Sequence, residues 1–258
     1  MILKIGAQFF TLRDFCKTPE DLALSLRKVA DIGYTTVQIS GTCEFDAAWM
    51  KEELDKNGLR CVVTHTPAPK LQEDIKKVCD DHKIFGCDKV GLGMFSFNPK
   101  FDPLDARYEE FCRIHHPIAQ AVKAEGLYFM YHNHNAEFRK LNGKPILDQM
   151  AEDFAPDELG FILDTFWIQA GGANPAEYIR RYAGRIPVIH LKDYQYAAVV
   201  KNSICAIGDG NINFEAVAAA AADSQVEYML VEQDTCHGED PFSALKRSYD
   251  YPKAMGLE

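Results

Sequence analysis

Residues 127–138 read LYFMYHNHNAEF. The first five, all apolar, have the pattern of a strand buried on both faces. The run then breaks abruptly into His132, Asn133, His134, Asn135 and Glu137. Each hydrogen-bonding group left unpaired at the end of a core strand costs roughly 1 to 3 kcal/mol, so this many together demand partners. A divalent metal and a polar substrate meet that demand, and the rest of the chain can be searched for the remaining ligands.

Outward from this stretch, short apolar runs alternate with longer helical patterns, eight of each. Strands are predicted at residues 2–9, 35–39, 59–65, 88–92, 127–131, 159–164, 186–191 and 228–232. Helices are predicted at 19–32, 47–57, 71–85, 103–125, 146–153, 175–182, 214–222 and 241–254. Thr18 caps the first helix with Pro19 at its first position, and Gly33, Gly58, Gly86 and Gly126 stop successive helices. Regular alternation of this kind argues for a parallel sheet with helices outside, and eight units at this length argue for a (β/α)8 TIM barrel forming a single α/β domain over residues 1–258. A doubly wound open sheet is the alternative, weakened because no GxGxxG opens the first unit, where GAQFFT stands instead.

Composition narrows the class. At 258 residues and 47% hydrophobic, the chain is large enough for one sizeable core. No apolar run approaches the roughly 18 residues of a membrane span, and the start MILKIGAQFF lacks the features of a signal peptide. A cytoplasmic protein is expected, with no membrane partner. Eight cysteines occur without a CxxC pair and read as reduced core residues. Twenty-eight basic against 38 acidic residues, a net charge of −10, disfavours nucleic acid as a partner. A small neutral or weakly charged substrate fits better. Oligomeric state is left open, a homo-oligomer included.

In such barrels the C-terminal strand ends carry the chemistry. Those ends hold Gln8, Gln38, His65, His132 with His134 and Glu137, Asp164, His190 with Lys192, and Glu232. Glu137, Asp164, His190 and Glu232 are separated by 27, 26 and 42 residues, close to one βα unit each with an extra loop in the last. Their side chains therefore converge on one mouth. Three oxygens and one imidazole suit Mn²⁺, Mg²⁺, Co²⁺ or Zn²⁺, and the absence of thiolate argues against a structural zinc site. The plainer alternative is that Asp164 caps a loop, His190 is a hydrogen-bonded core histidine and Glu232 pairs with Lys192 or Arg185.

YHNHNAEF, the run LDTFWIQAGGANPAEYIRRYAGRIPVIHLKD over residues 163–193, GDGNINF over 208–214 and VEQD over 231–234 together resemble the sugar phosphate isomerase/epimerase family of the xylose-isomerase-like barrel superfamily. GAQFFTLRD near the start and DPFSALKRS near the end extend the resemblance over nearly the whole chain. It implies a Glu, Asp, His, Glu metal site whose first and last glutamates act as acid and base. Asp164, His190 and Glu232 match those motifs directly. The first ligand is carried to Glu137, with His132 and His134 as second choices, because His132 stands where relatives with a simpler fifth strand have glutamate.

The chemistry so implied is proton transfer at a carbon beside a carbonyl through an enediolate, giving an epimerase or isomerase, or a hydro-lyase if hydroxide leaves. Glu232 is one acid/base, with Glu137, His132 or His134 as the other. Gln8, Gln38, His65, Trp167 and Lys192 are candidates for sugar oxygens or ring stacking, and Phe9, Phe10, Phe95 and Phe97 for an apolar wall. His237 and Asp234 read as a solvated loop. A DNA-repair endonuclease and a non-catalytic sugar-binding barrel are the rival classes.

Overall fold

The computed structural model describes residues 3–94, 103–196 and 203–257. Eight strands, β1 (Lys4–Gln8), β2 (Thr36–Ile39), β3 (Arg60–Thr64), β4 (Lys89–Leu92), β5 (Tyr128–His132), β6 (Leu159–Asp164), β7 (Val188–Leu191) and β8 (Tyr228–Val231), lie parallel in one sheet. Seven junctions are laddered in the order β3-β2-β1-β8-β7-β6-β5-β4. At the eighth, between β4 and the end of β3, the Thr66 amide donates to the Gly91 carbonyl at 2.7 Å. The sheet is thus a near-closed barrel with helices around it, as the alternation predicts.

Most helices follow their caps. Thr18 Oγ1 accepts from the Asp21 amide at 3.2 Å to start α1 (Pro19–Ile32), and Gly33 ends it at φ 118°. After α2 (Ala47–Lys56) the helix expected at 71–85 is instead two, α3 (Ala68–Glu73) and α4 (Ile75–Phe85). Asp74 leaves helical geometry at φ −152°, and its carboxylate accepts from the Lys77 amide at 2.9 Å, capping the second piece. Then come α5 (Leu104–Ala124), α6 (Ile146–Asp153) and a short unexpected α7 (Thr165–Ala170) directly after β6. The remaining helices are α8 (Pro175–Arg181), α9 (Phe214–Asp223) and α10 (Pro241–Ala254). Phe9, read as the end of a strand, opens a 3-10 turn, Phe9–Phe15, and Asn135–Phe138 forms a second turn of this kind after β5.

Two cores result. One fills the space between sheet and helices. The other lies inside the barrel, where Val62, Val63, Met130, Ile162, Val188 and Leu230 pack together. Successive inward-facing residues of a strand are two apart, so the residues two beyond Met130, Ile162, Val188 and Leu230 form the next layer toward the mouth. They are His132, Asp164, His190 and Glu232. All eight cysteines carry free thiols. Among the described residues no helix is long and apolar enough to cross a membrane.

Candidate metal site at the barrel mouth

One donor atom from each of His132, Asp164, His190 and Glu232 lies within 4.8 Å of the other three, and all four residues are buried. Strand register brings them together: Asp164 on β6 pairs with His190 on β7, and Glu232 follows β8, its amide donating to Leu191 O at 3.0 Å.

Each of the four is tied from behind and presents its other polar atom to the group. Gly93 O lies 3.0 Å from His132 Nδ1, leaving Nε2 3.4 Å from Asp164 Oδ2. Gln38 Oε1 lies 2.7 Å from His190 Nε2, leaving Nδ1 2.9 Å from Glu232 Oε2. Asp164 Oδ1 accepts from the Trp167 amide at 2.9 Å, capping α7, while its own amide donates to Asn133 Oδ1 at 3.0 Å. Glu232 Oε1 accepts from Gln8 Nε2 at 2.7 Å. Fixing one ring nitrogen or carboxylate oxygen in this way orients a ligand before any ion arrives.

Lys192 sits among the acids. Its ammonium lies 3.1 Å from Asp164 Oδ2, 2.9 Å from Glu232 Oε2 and 3.1 Å from Asp234 Oδ1. Burial pushes the carboxyls of Asp164 and Glu232 up, but Lys192 and the neighbouring imidazoles outweigh it and hold both well below the usual carboxylate range. Against its own burial, the three carboxylates hold Lys192 above the usual lysine range. Burial likewise opposes the charged form of His190, yet Glu232 and Asp164 keep its pKa above the ordinary value. Three carboxylates and two imidazoles thus gather around one ammonium, an excess of anionic and lone-pair donors in a buried space that suits a cation.

Several sequence expectations are revised by this geometry. Glu137 is not in the group: its carboxylate accepts from the Tyr131 hydroxyl and, at 2.9 Å, from the His134 amide, which holds it in the turn after β5. His132 takes the first corner, so the donor set is two imidazoles and two carboxylates. Lys192, a candidate for a sugar oxygen, pairs with Glu232, as the plainer alternative has it, and with Asp164 and Asp234, while also lining the cavity above the group. Asp234, expected in a solvated loop, is one of those carboxylates. It lies two residues beyond Glu232, the same spacing that separates Lys192 from His190, and that spacing was the available signal. Arg185 reaches Ala151 O, Phe154 O and Leu159 O rather than Glu232.

The remaining candidates surround the group. The His65 ring centre is 5.0 Å from that of His132 and 5.6 Å from that of His190. His134 packs 4.8 Å from His132 and 5.0 Å from Trp167. Burial, with His132 and Lys192 adding to it, brings the His134 pKa down to about 3, and burial with the neighbouring imidazoles takes His65 well below its ordinary value. Both rings are neutral at pH 7. Gln38 Nε2, His65 Nε2, His134 Nδ1 and Trp167 Nε1 are buried without a hydrogen-bond partner. Four unsatisfied polar atoms around one mouth mark a place where a polar ligand would complete them. Above the group opens a cavity of about 350 Å³, lined in part by Phe10, His65, His134, Lys192 and Asp234. Phe9 is buried in the outer core, and Phe95 and Phe97 lie outside the described residues.

Residues 26–251 match the xylose isomerase-like TIM barrel family. An inosose dehydratase of Geobacillus kaustophilus (strain HTA426) is 22% identical over 263 residues, covering 88% of this chain and 83% of that protein. A sugar phosphate isomerase/epimerase from Parabacteroides distasonis ATCC 8503 is similar in structure with a TM-score of 0.80 and 25% identity, over 96% of this chain and 97% of that one. An L-ribulose 3-epimerase shares the fold with a TM-score of 0.76 at 17% identity, over 99% and 95% of the two chains. With the family match spanning the barrel from α1 to α10 and every strand after the first, the chain belongs to the xylose isomerase-like TIM barrel family.

Proposed function

We propose that the protein is a metal-dependent carbohydrate isomerase or epimerase acting on a ketose or keto-sugar through an enediolate. The observation that carries this reading is the buried group of His132, Asp164, His190 and Glu232, each oriented from behind with its donor turned to the others. Two carboxylates and two imidazoles, with their donor atoms within reach of one point, fit a divalent cation. Two imidazoles in place of one move the preference from Mg²⁺ toward Mn²⁺, Co²⁺ and Zn²⁺. Bound there, the ion supplies Lewis-acid stabilisation of the negative charge that develops on the substrate as it loses a proton.

The chain's own groups do the rest. Glu232, kept ionised by Lys192 and His190, takes the proton from the carbon beside the carbonyl. His134, neutral and with an unpartnered Nδ1, is the second proton-handling group. His65 Nε2, Gln38 Nε2 and Trp167 Nε1 supply hydrogen bonds to substrate hydroxyls.

A second reading, a hydro-lyase acting on a keto-cyclitol or 3-keto-glycoside, draws support from the inosose dehydratase relative. Incubation of the Mn²⁺-loaded protein with ketoses and keto-cyclitols in heavy water separates the two. Deuterium on carbon with no loss of water supports the first, and a dehydrated enone product supports the second. Neither outcome over a broad panel sinks both.

A further inference from the structure

Resting on the ketose reading above, we propose that the substrate carries a second, uncharged ring, and that the cavity beside the metal site receives it. That cavity, of about 600 Å³, is formed by the segment after β2 and by the chain from β3 through α4. It shares Ser40, Gly41, His65, Thr66 and Pro67 with the 350 Å³ cavity above the donor group, so the two adjoin. His65 stands at the junction, its Nδ1 3.4 Å from Ser40 Oγ and its Nε2 buried without a partner. Each cavity alone falls within the roughly 300 to 1,000 Å³ of a small-molecule site. A single ketose uses the first and leaves the second empty.

The lining of the second cavity specifies what it takes. Its inner part is apolar, with Ile39, Val78 and Phe85 buried and Phe45 half-buried. The Phe45 and Phe85 rings meet edge to face at 6.2 Å. Aromatic surface of this kind packs on the C–H face of a sugar ring. Its charged part holds Glu44, Glu73, Asp74 and Asp81 against Lys70 and Lys77. Lys70 is paired with Glu44, and Lys77 with Asp81 at 2.8 Å. Four carboxylates against two committed ammonium groups leave a net charge of −2 among the described lining residues. A phosphoryl group is repelled there, whereas hydroxyl groups find acceptors. An uncharged glycosyl group is the occupant that fits both parts.

Isothermal titration of the Mn²⁺-loaded protein with D-fructose and with the glucosyl-fructoses turanose, maltulose and isomaltulose tests this. The comparison is with Thr42→Trp and Glu73→Trp, each placing bulk in the second cavity from a position that does not line the first. Glu73 is exposed, so its variant keeps the test available if Thr42→Trp fails to fold. At least one glucosyl-fructose should bind tenfold or more tightly than D-fructose. Each folded variant should remove that gain and leave D-fructose affinity unchanged. A gain that is missing, or that survives both variants, overturns the second-ring inference alone. Binding of none of these sugars, D-fructose included, overturns the ketose reading and this inference with it.

Discussion

Lys192 Nζ lies 2.9 Å from Glu232 Oε2, with both side chains shut away from solvent. The contact follows from register: His190 pairs with Leu230, and two residues beyond them, just past the strand ends, stand Lys192 and Glu232. Desolvation offsets much of what such a pair gains, but removing one partner of a buried pair costs about 3 to 5 kcal/mol because a charge is left uncompensated. Lys192→Met is therefore expected to lower the Tm of EDTA-treated protein by on the order of 10 °C. Mn²⁺ should recover part of the loss by offsetting the same carboxylates. Scanning calorimetry with and without the ion checks both, and an unchanged Tm in EDTA means that Lys192 is not the compensating charge.

Asp164 divides its two oxygens between fold and site. Oδ1 caps α7 through the Trp167 amide at 2.9 Å, and Oδ2 faces His132 and Lys192. Asparagine keeps an Oδ1 acceptor but puts an NH2 donor in place of the charged Oδ2. Asp164→Asn should thus keep the cap while Mn²⁺ affinity falls by more than the roughly 10- to 100-fold that loss of an outer partner costs. Titration calorimetry measures the affinity, and circular dichroism reports whether the helices persist. Equal Mn²⁺ affinity in the two proteins removes Asp164 from the ligand set.

Much of the barrel was legible because its punctuation is local. Gly33 and Gly86 adopt left-handed backbone at helix ends, and Thr18 caps with its own side chain, so each boundary is written within a few residues. Asp164, His190 and Glu232 were legible for the same reason, as polar residues ending apolar runs. What escaped depended on partners distant in sequence. The choice between Glu137 and His132 turns on strand phase: His132 is two residues beyond the inward-facing Met130, whereas Glu137 falls in a turn where Tyr131 claims it. Asp74 breaks a helix whose apolar spacing runs on past it. Asp234 reads as loop until Lys192 is placed opposite.

His82 gives a pH dependence unrelated to the donor group. Its Nδ1 lies 2.7 Å from Val78 O and its Nε2 2.8 Å from Thr64 Oγ1. Burial outweighs the Val78 hydrogen bond and the nearby Asp81, bringing the pKa from 6.5 down to about 4. Above pH 6.5 the ring is neutral in folded and unfolded chains and adds no pH dependence. Between 6.5 and 4 the unfolded chain takes up a proton that the folded one refuses, so stability falls with pH by about 3 kcal/mol from this residue. Below 4 the loss is complete. His82→Gln should flatten the dependence of unfolding free energy over that window, measured by urea titration at pH 7, 5.5 and 4.5. A slope as steep as that of the wild type rejects the assignment.

Closure of the barrel depends on the missing side chain of Gly91. A Cβ built there would stand 2.1 Å from the Thr64 carbonyl oxygen, a backbone atom that cannot rotate away. Alanine at this position must therefore push β3 from β4 at the one junction without a ladder, straining the Thr66 amide bond to Gly91 O. Gly91→Ala is expected to cost about 1 to 3 kcal/mol, the usual range for overpacking. Gly58→Ala is the comparison, since its Cβ would meet nothing within 4 Å and only the positive φ of 63° opposes it, at about 1 to 2 kcal/mol. The two differ in where the damage lands. Thr64 is followed by His65 at the junction of the two cavities, so Gly91→Ala should weaken sugar binding as well as lower Tm, whereas Gly58→Ala should lower Tm alone. Sugar affinity by titration and Tm by calorimetry, taken on both variants, decide whether the seam positions the site; equal sugar affinity in the two would confine Gly91 to a role in stability.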